Sequence, residues 1–175
     1  MERITVSTLV YLPREEVFDF LVDFPRYARY SEYLEGVDRD GDGGAGTRYR
    51  LHFAWWKLSY TARSEVTGVE RPERIDWRIV GEFDAEGRWR VEPAELPADA
   101  PADAGTASRV FFEAGFDAGS LTGDAVDLPR FVSLDGVVDR VRPLVLEEAE
   151  RIVERVVADL EGRRREVELR VEREV

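Results

Sequence analysis

Cysteine is absent from this 175-residue chain, which excludes disulfides, thiolate metal sites and thiol nucleophiles together. Histidine occurs once, as His52, so multi-histidine metal centres go as well and no second imidazole is available for a relay. Lysine is almost missing, since Lys57 is the single lysine among 25 basic residues. No apolar run is long enough to span a bilayer, and the N-terminus lacks the basic-then-apolar pattern of a secretory signal. The expected location is the cytoplasm, with no integral membrane segment. Composition does not shift along the chain, so one domain is expected over 1–162, followed by a tail at 163–175 that is either an edge strand or disordered.

What the chain has in excess is acid. Against those 25 basic residues stand 37 acidic ones, for a net charge of -12 and a pI near 4.7. Such a surface repels phosphate backbones and anionic lipid, and nucleic acid is not an expected partner. The carboxylates are dispersed rather than run together, as on a solvated surface adapted to high salt.

Periodicity supplies the elements. Ile4, Val6, Thr8, Val10 and Leu12 alternate with more polar neighbours up to Pro13, which reads as an opening strand. Val17, Phe18, Phe20, Leu21 and Phe24 recur at helical spacing; Pro25 interrupts, and Tyr27, Tyr30 and Tyr33 suggest a second short helix. After an extended stretch at 34–39 and a glycine-rich turn, Tyr49, Leu51, Phe53 and Trp55 occupy odd positions while Leu58, Tyr60, Ala62 and Val66 occupy even ones. That change of phase places a hairpin bend at 55–57. Ile75, Trp77 and Ile79, then a turn over 81–87, then Trp89 and Val91, and finally Val110, Phe112, Ala114 and Phe116 continue an antiparallel meander, broken by a low-complexity loop at 93–105.

The last long helix, 137–160, carries Val138, Val141, Val145, Ala149, Ile152, Val153, Val156 and Leu160 on one broad arc, wider than an ordinary surface helix needs. A curved sheet that wraps around the helix would use such an arc. Pro143 is expected to divide the helix into a lead-in and a main rod, with Gly162 as its cap.

Several apparent motifs dissolve on inspection. Gly41, Gly43 and Gly46 match the spacing of a dinucleotide fingerprint, but a strand follows where a helix is required. Asp38, Asp40, Asp42 and Gly43 imitate half a calcium loop whose twelfth position would be Tyr49. His52 lies out of phase with the apolar residues of its strand and should face away from the helix. Asp76, Glu65, Glu92 and Glu113 share that outer face with Arg48, Arg50, Arg63, Arg78, Arg90 and Arg109, which predicts cross-strand ion pairs rather than paired catalytic carboxylates. No cofactor is indicated.

Two stretches carry a family resemblance. Residues 13–33, PREEVFDFLVDFPRYARYSEY, follow a strand that ends at proline with a Val-aromatic helix and an Asp-x-x-x-Tyr bend; Gly46-Thr47 then opens a long strand after a glycine-rich turn, with an amphipathic helix far downstream. Over 4–160 the chain resembles the START-like SRPBCC superfamily of polyketide cyclases, dehydratases and lipid-transfer proteins. The resemblance implies an α+β helix-grip fold: a curved antiparallel sheet of about six to seven strands around a long C-terminal helix, with two short helices after the first strand and a lipophilic cavity between sheet and helix. That family shares no single catalytic motif, so no active site is carried over.

The expected ligand wall is aromatic: Tyr49, Phe53, Trp55, Tyr60, Trp77, Trp89 and Phe112, opposite Val145, Ala149 and Ile152. Ordinary core packing is the simpler reading of most of these positions. The cavity reading gains from the space left by Ala62 and Ala149, and from Tyr and Trp polar groups that need partners in an apolar pocket. Binding or transfer of a small lipophilic ligand is the leading expectation. A cyclase- or dehydratase-type enzyme is the alternative, and an interaction module using the Trp55-Trp56 edge or the tail strand is a third. The sequence does not set the oligomeric state.

Overall fold

A computed structural model of the chain describes residues 2–55, 57–81, 84–117 and 134–174, with the side chains of 58 and of 134–146 outside that description. The expected inward positions Val138, Val141 and Val145, and Trp56 at the hairpin bend, therefore lie outside the described side chains.

Strand β1 (Glu2–Val10) ends before Pro13, and helix α1 (Arg14–Leu21) follows directly with Glu15 and Glu16 in its first turn, where the helix dipole favours acid. A 3-10 helix, Phe24–Arg29, comes next. As expected, the first helix does not run through Pro25; the proline sits in the first turn of the second, where its missing N–H costs nothing. Strands β2 (Leu34–Asp40), β3 (Arg48–Trp55), β4 (Leu58–Glu70), β5 (Arg74–Ile79), β6 (Ala85–Ala94) and β7 (Ala107–Phe116) then form the meander. The expected bend at 55–57 is present as a tight hairpin in which Trp55 pairs with Leu58. Gly41, with φ +132, opens the glycine-rich turn; a Cβ there would lie 2.7 Å from Thr47 Oγ1, which accepts the Gly43 N–H at 2.9 Å.

The architecture is α+β, with a single antiparallel sheet of eight strands in the order β2-β3-β4-β5-β6-β7-β1-β8, rather than the six to seven expected. The additional strand is β8 (Arg170–Glu174), which pairs with β1 from Arg3–Glu174 to Ser7–Arg170. Thr8 Oγ1 donates to the Glu168 carbonyl oxygen and Arg165 donates to the Leu9 carbonyl oxygen, so the chain after the last helix folds back along β1.

That helix, α2 (Leu134–Glu161), is one continuous element of 28 residues. The expected division at Pro143 does not occur. Proline removes one i to i−4 hydrogen bond, and the turns on both sides carry the helix through. Gly162, at φ +77, caps it and donates its N–H to the Ala158 carbonyl oxygen. Among the described side chains of α2, Val157 is the most buried, and Ile152, Val153, Val156 and Leu160 pack against the same core; the expected arc omitted Val157, which lies at its edge. Among the described residues no helix is long and apolar enough to cross a membrane.

Candidate functional site

The inner face of the sheet divides into two ends. At one end six of the eight strands are closely packed: Val10 on β1, Tyr49 on β3, Val66 on β4, Ile75 on β5, Val91 on β6 and Val110 on β7 are all buried. Phe18, Phe20, Leu21 and Phe24 from the two short helices and Val157 from α2 complete this core. Toward the other end the same strands present Trp77, Trp89, Phe112 and Tyr60 only half-buried, while Phe53 is 36 % exposed. Large aromatic residues on the inward face of a sheet would be sealed if that interior were solidly filled.

The aromatic floor is continuous. Trp77 stacks on Phe112 with ring centroids 5.7 Å apart and planes at 15°; Phe112 meets Trp89 at 4.7 Å, and Trp89 meets the edge of Tyr27 at 6.3 Å. Tyr27 also stacks on Phe20 and Phe24, and Phe24 lies 4.7 Å from Tyr49. The floor is flat because Gly87, opposite Ala114 in the β6–β7 ladder, has no side chain. A Cβ there would come within 2.5 Å of the Trp77 ring. Gly87 was expected in a turn; it lies within β6 because the ring of Trp77 occupies the space above it. The indole Nε1 of Trp77 is enclosed without a hydrogen-bond partner among the described residues, so this wall contains a donor for which an acceptor would be stabilising.

Tyr27 was not among the expected wall residues. Its hydroxyl is enclosed and donates to the Leu21 carbonyl oxygen, while the residue as a whole is only half-buried. Burial pushes its phenol well above the ordinary range, and nearby Tyr49 and Asp23 act in the same direction. Burial raises Tyr49 also, with Arg39 opposing and Asp23 and Asp42 assisting. Both therefore remain neutral phenols at ordinary pH. The available signal for Tyr27 was its place three residues after Phe24, on the face a short helix turns toward the sheet.

Of the expected wall residues, the structure brings Tyr49, Trp77, Trp89 and Phe112 into one connected interior, with Tyr49 packed into the core rather than exposed to a space. Phe53, Trp55 and Tyr60 sit together on the same face of the β3–β4 hairpin, where Phe53 pairs with Tyr60. Ala149 and Ile152 are half-buried on α2. One flank of α2 is fastened to the segment before β2: Arg155 Nη1 donates to the Tyr30 carbonyl oxygen at 2.7 Å, the Tyr30 hydroxyl donates to Asp159 at 2.8 Å, and the Glu32 N–H approaches buried Glu148 at 3.4 Å. Burial, and then the bond to Asp159, raise the Tyr30 pKa.

The outer face carries the charge. Glu65 meets Arg48 and Arg78 at 3.7 and 3.2 Å, Asp76 meets Arg74 and Arg88 at 3.0 and 3.2 Å, and Glu113 meets Arg90 at 2.9 Å. His52 faces outward as expected, with Nε2 2.7 Å from Asp38 and Nδ1 3.1 Å from Thr61 Oγ1; the bond to His52 leads in lowering the Asp38 pKa. A cleft of about 330 Å³ is lined by four arginines, Arg14, Arg74, Arg88 and Arg90, and three glutamates, Glu70, Glu73 and Glu92, with Val91 and Pro93. No cluster of metal-ligating side chains occurs among the described residues.

A long antiparallel sheet with short helices after its first strand and a long helix near its C-terminus defines a helix-grip protein. The sequence matches the model of the polyketide cyclase / dehydrase and lipid transport family over residues 1–168, and the chain belongs to that family. Comparison with curated proteins gives no match. Among solved structures, a START superfamily protein from Mycobacterium smegmatis superposes with a TM-score of 0.58 at 17% identity, covering 91% of this chain and 99% of the other. A protein from Thermus thermophilus gives 0.59 at 19% identity, covering 91% and 97%. The Zhui aromatase/cyclase from a Streptomyces species gives 0.59 at 17%, covering 92% and 94%. At these identities the likeness is one of fold.

Proposed function

We propose that this chain binds or transfers a small lipophilic molecule held between the open end of the inner sheet face and α2. The observation that carries the reading is the incomplete burial of Trp77, Trp89, Phe112, Tyr60 and Phe53 on an inward face whose other end is fully packed. In this reading residues 1–162 act as one binding domain in the cytoplasm, Phe53, Trp55, Tyr60, Trp77, Trp89 and Phe112 contact the ligand, and Ala149 and Ile152 belong to the opposite wall. Tyr49 belongs to the packed end and supports the wall from behind.

The test is uptake. Native mass spectrometry of the purified chain should release a bound small molecule, and anilinonaphthalene sulfonate should bind with quenching of tryptophan fluorescence. Ala149→Phe should abolish both by filling the space. A solid core would instead give no uptake by the parent protein, and the same substitution would destabilise it by about 1–3 kcal/mol through overpacking.

A second reading, an enzyme of the cyclase or dehydratase kind, draws support from Tyr27, an interior phenol held neutral beside Trp89. Its hydroxyl is engaged with the Leu21 carbonyl oxygen, so proton donation would require that bond to exchange for one to a substrate. Binding without turnover is therefore the favoured form.

A further inference from the structure

The sheet is open, and its two edges differ. At one edge the 3-10 helix packs against β2, whose ladder to β3 slips between Leu34 and Gly36 and whose exposed end carries Asp38 and Asp40. At the other edge β8 is bare. All five of its residues, Arg170–Glu174, are exposed, its ladder to β1 runs without a slip, and among the described residues no strand pairs with its outer side. β8 also begins past residue 168, where the match to the family model ends. An exposed strand edge presents unpaired backbone N–H and C=O groups and templates a further strand unless something blocks it. Shortness and charge are the usual blocks, and β8 has both. Its charges, however, are ordered. Arg170, Glu172 and Glu174 lie on the outer face opposite Ser7, Thr5 and Arg3, while Val171 and Arg173 lie on the inner face opposite Val6 and Ile4. Val171, at 42 %, is the most exposed large apolar residue among those described.

We propose that β8 is a self-recognition edge, through which two copies of the chain pair antiparallel about a two-fold axis at Val171. A two-fold perpendicular to a continuous sheet sets residues of like parity opposite each other, so only a few registers exist. With Val171 opposite its own counterpart, Arg170 of each copy faces Glu172 of the other on the outer face, and Arg173 faces Leu169 on the inner one. The exposed valine is covered, and both charge pairs are of opposite sign. Moving the axis one residue forward sets Glu172 on Glu172 and Val171 on Arg173; moving it one residue back sets Arg170 on Arg170 and Glu168 on Glu172. Like charges directly opposite destabilise a ladder and unlike ones support it, so the charges that guard this edge against other strands admit a second β8 in one register. Glu168 comes opposite Glu174 only at the two ends, beyond the last strand residue, where Arg170 Nε lies 3.8 Å from Glu168. Such a contact closes after two copies, because each chain has one such edge. Repulsion between two bodies of net charge -12 is screened beyond about 8 Å at physiological ionic strength. A five-residue edge makes a small interface, so the dimer is weak and reversible.

The full chain is tested by sedimentation equilibrium at physiological ionic strength, from micromolar to millimolar concentration. The parent protein should pass reversibly from monomer to dimer and stop there. Arg170→Glu, which sets acid against acid in both pairs, and Glu172→Arg, which sets arginine against arginine, should each weaken the dimer about tenfold or more. Ser7 and Thr5 stand opposite these residues on β1, so neither reversal breaks an ion pair within the sheet. Both changes in one chain restore opposite signs and should restore the parent's association. Mixing the two single variants should give a heterodimer tighter than either variant alone forms, a recovery that loss of fold would not allow. A parent protein that stays monomeric at millimolar concentration, assembly beyond the dimer, single variants that associate like the parent, or a double variant and a mixture no tighter than the single variants would each overturn the pairing.

Discussion

Gly87→Ala adds one methyl group at the point where β6, β7 and the aromatic floor converge. The new Cβ would lie 2.5 Å and 3.0 Å from two Trp77 ring atoms and would also overlap the Glu113 carbonyl oxygen. Ordinary contact begins near 3.4 Å, so the indole must move by roughly an ångström, and rotation of a side chain cannot relieve the overlap with the Glu113 backbone. Displacing Trp77 forfeits its stack on Phe112, worth about 0.5–1.5 kcal/mol, and overpacking adds about 1–3 kcal/mol. The expected loss is about 2–4 kcal/mol in urea unfolding followed by circular dichroism, with a changed tryptophan emission in the folded state. Gly36→Ala is the control: a Cβ there meets nothing within 4 Å, and its effect should stay within about 0.5 kcal/mol. A Gly87→Ala protein as stable as the parent, with unaltered emission, would refute the close packing of Trp77 on Gly87 and the flat floor derived from it.

Two further outcomes follow from buried polar groups. Arg165→Ala should cost about 2–3 kcal/mol in the same unfolding assay, because Glu161 is buried and would retain only the Tyr11 N–H when Arg165 is removed; a change below about 0.5 kcal/mol would show that the fold-back after α2 is not fastened there. Tyr27, with its raised pKa, contributes stability that is fully present below the pH at which an unfolded tyrosine ionises, near 10, and that is lost as pH rises through the folded value. Tyr27→Phe should therefore flatten the alkaline decline of the urea midpoint, at a cost of about 1 kcal/mol near neutrality for the lost bond to Leu21; parallel alkaline limbs in the two proteins would contradict an enclosed hydroxyl.

The strand order of the meander, the hairpin at 55–57 and the outward phase of His52 were legible in the sequence because each depends on local periodicity, which a two-residue repeat states plainly. Other features needed the neighbours. Nothing local distinguishes a glycine in a turn from Gly87 in a strand, since the deciding contact comes from Trp77 on β5. Pro143 has a local tendency to break a helix, yet α2 continues through it. Tyr27 reads as one tyrosine in a spaced series until the sheet curves and places Trp89 and the Phe24–Tyr49 pair around it.

By itself, then, the sequence determined which residues of the sheet face inward, that the chain is acidic and that thiol and multi-histidine chemistry are absent, because alternation and composition are properties of the chain alone. Only the tertiary structure decided how far the interior is filled. Tyr49 and Phe53 lie four residues apart on the same face of β3, yet one is 1 % and the other 36 % exposed. The difference comes from Phe24, which reaches Tyr49 from the 3-10 helix and seals the packed end of the sheet. Packing of that kind depends on where distant segments meet, and a periodic pattern carries no record of it.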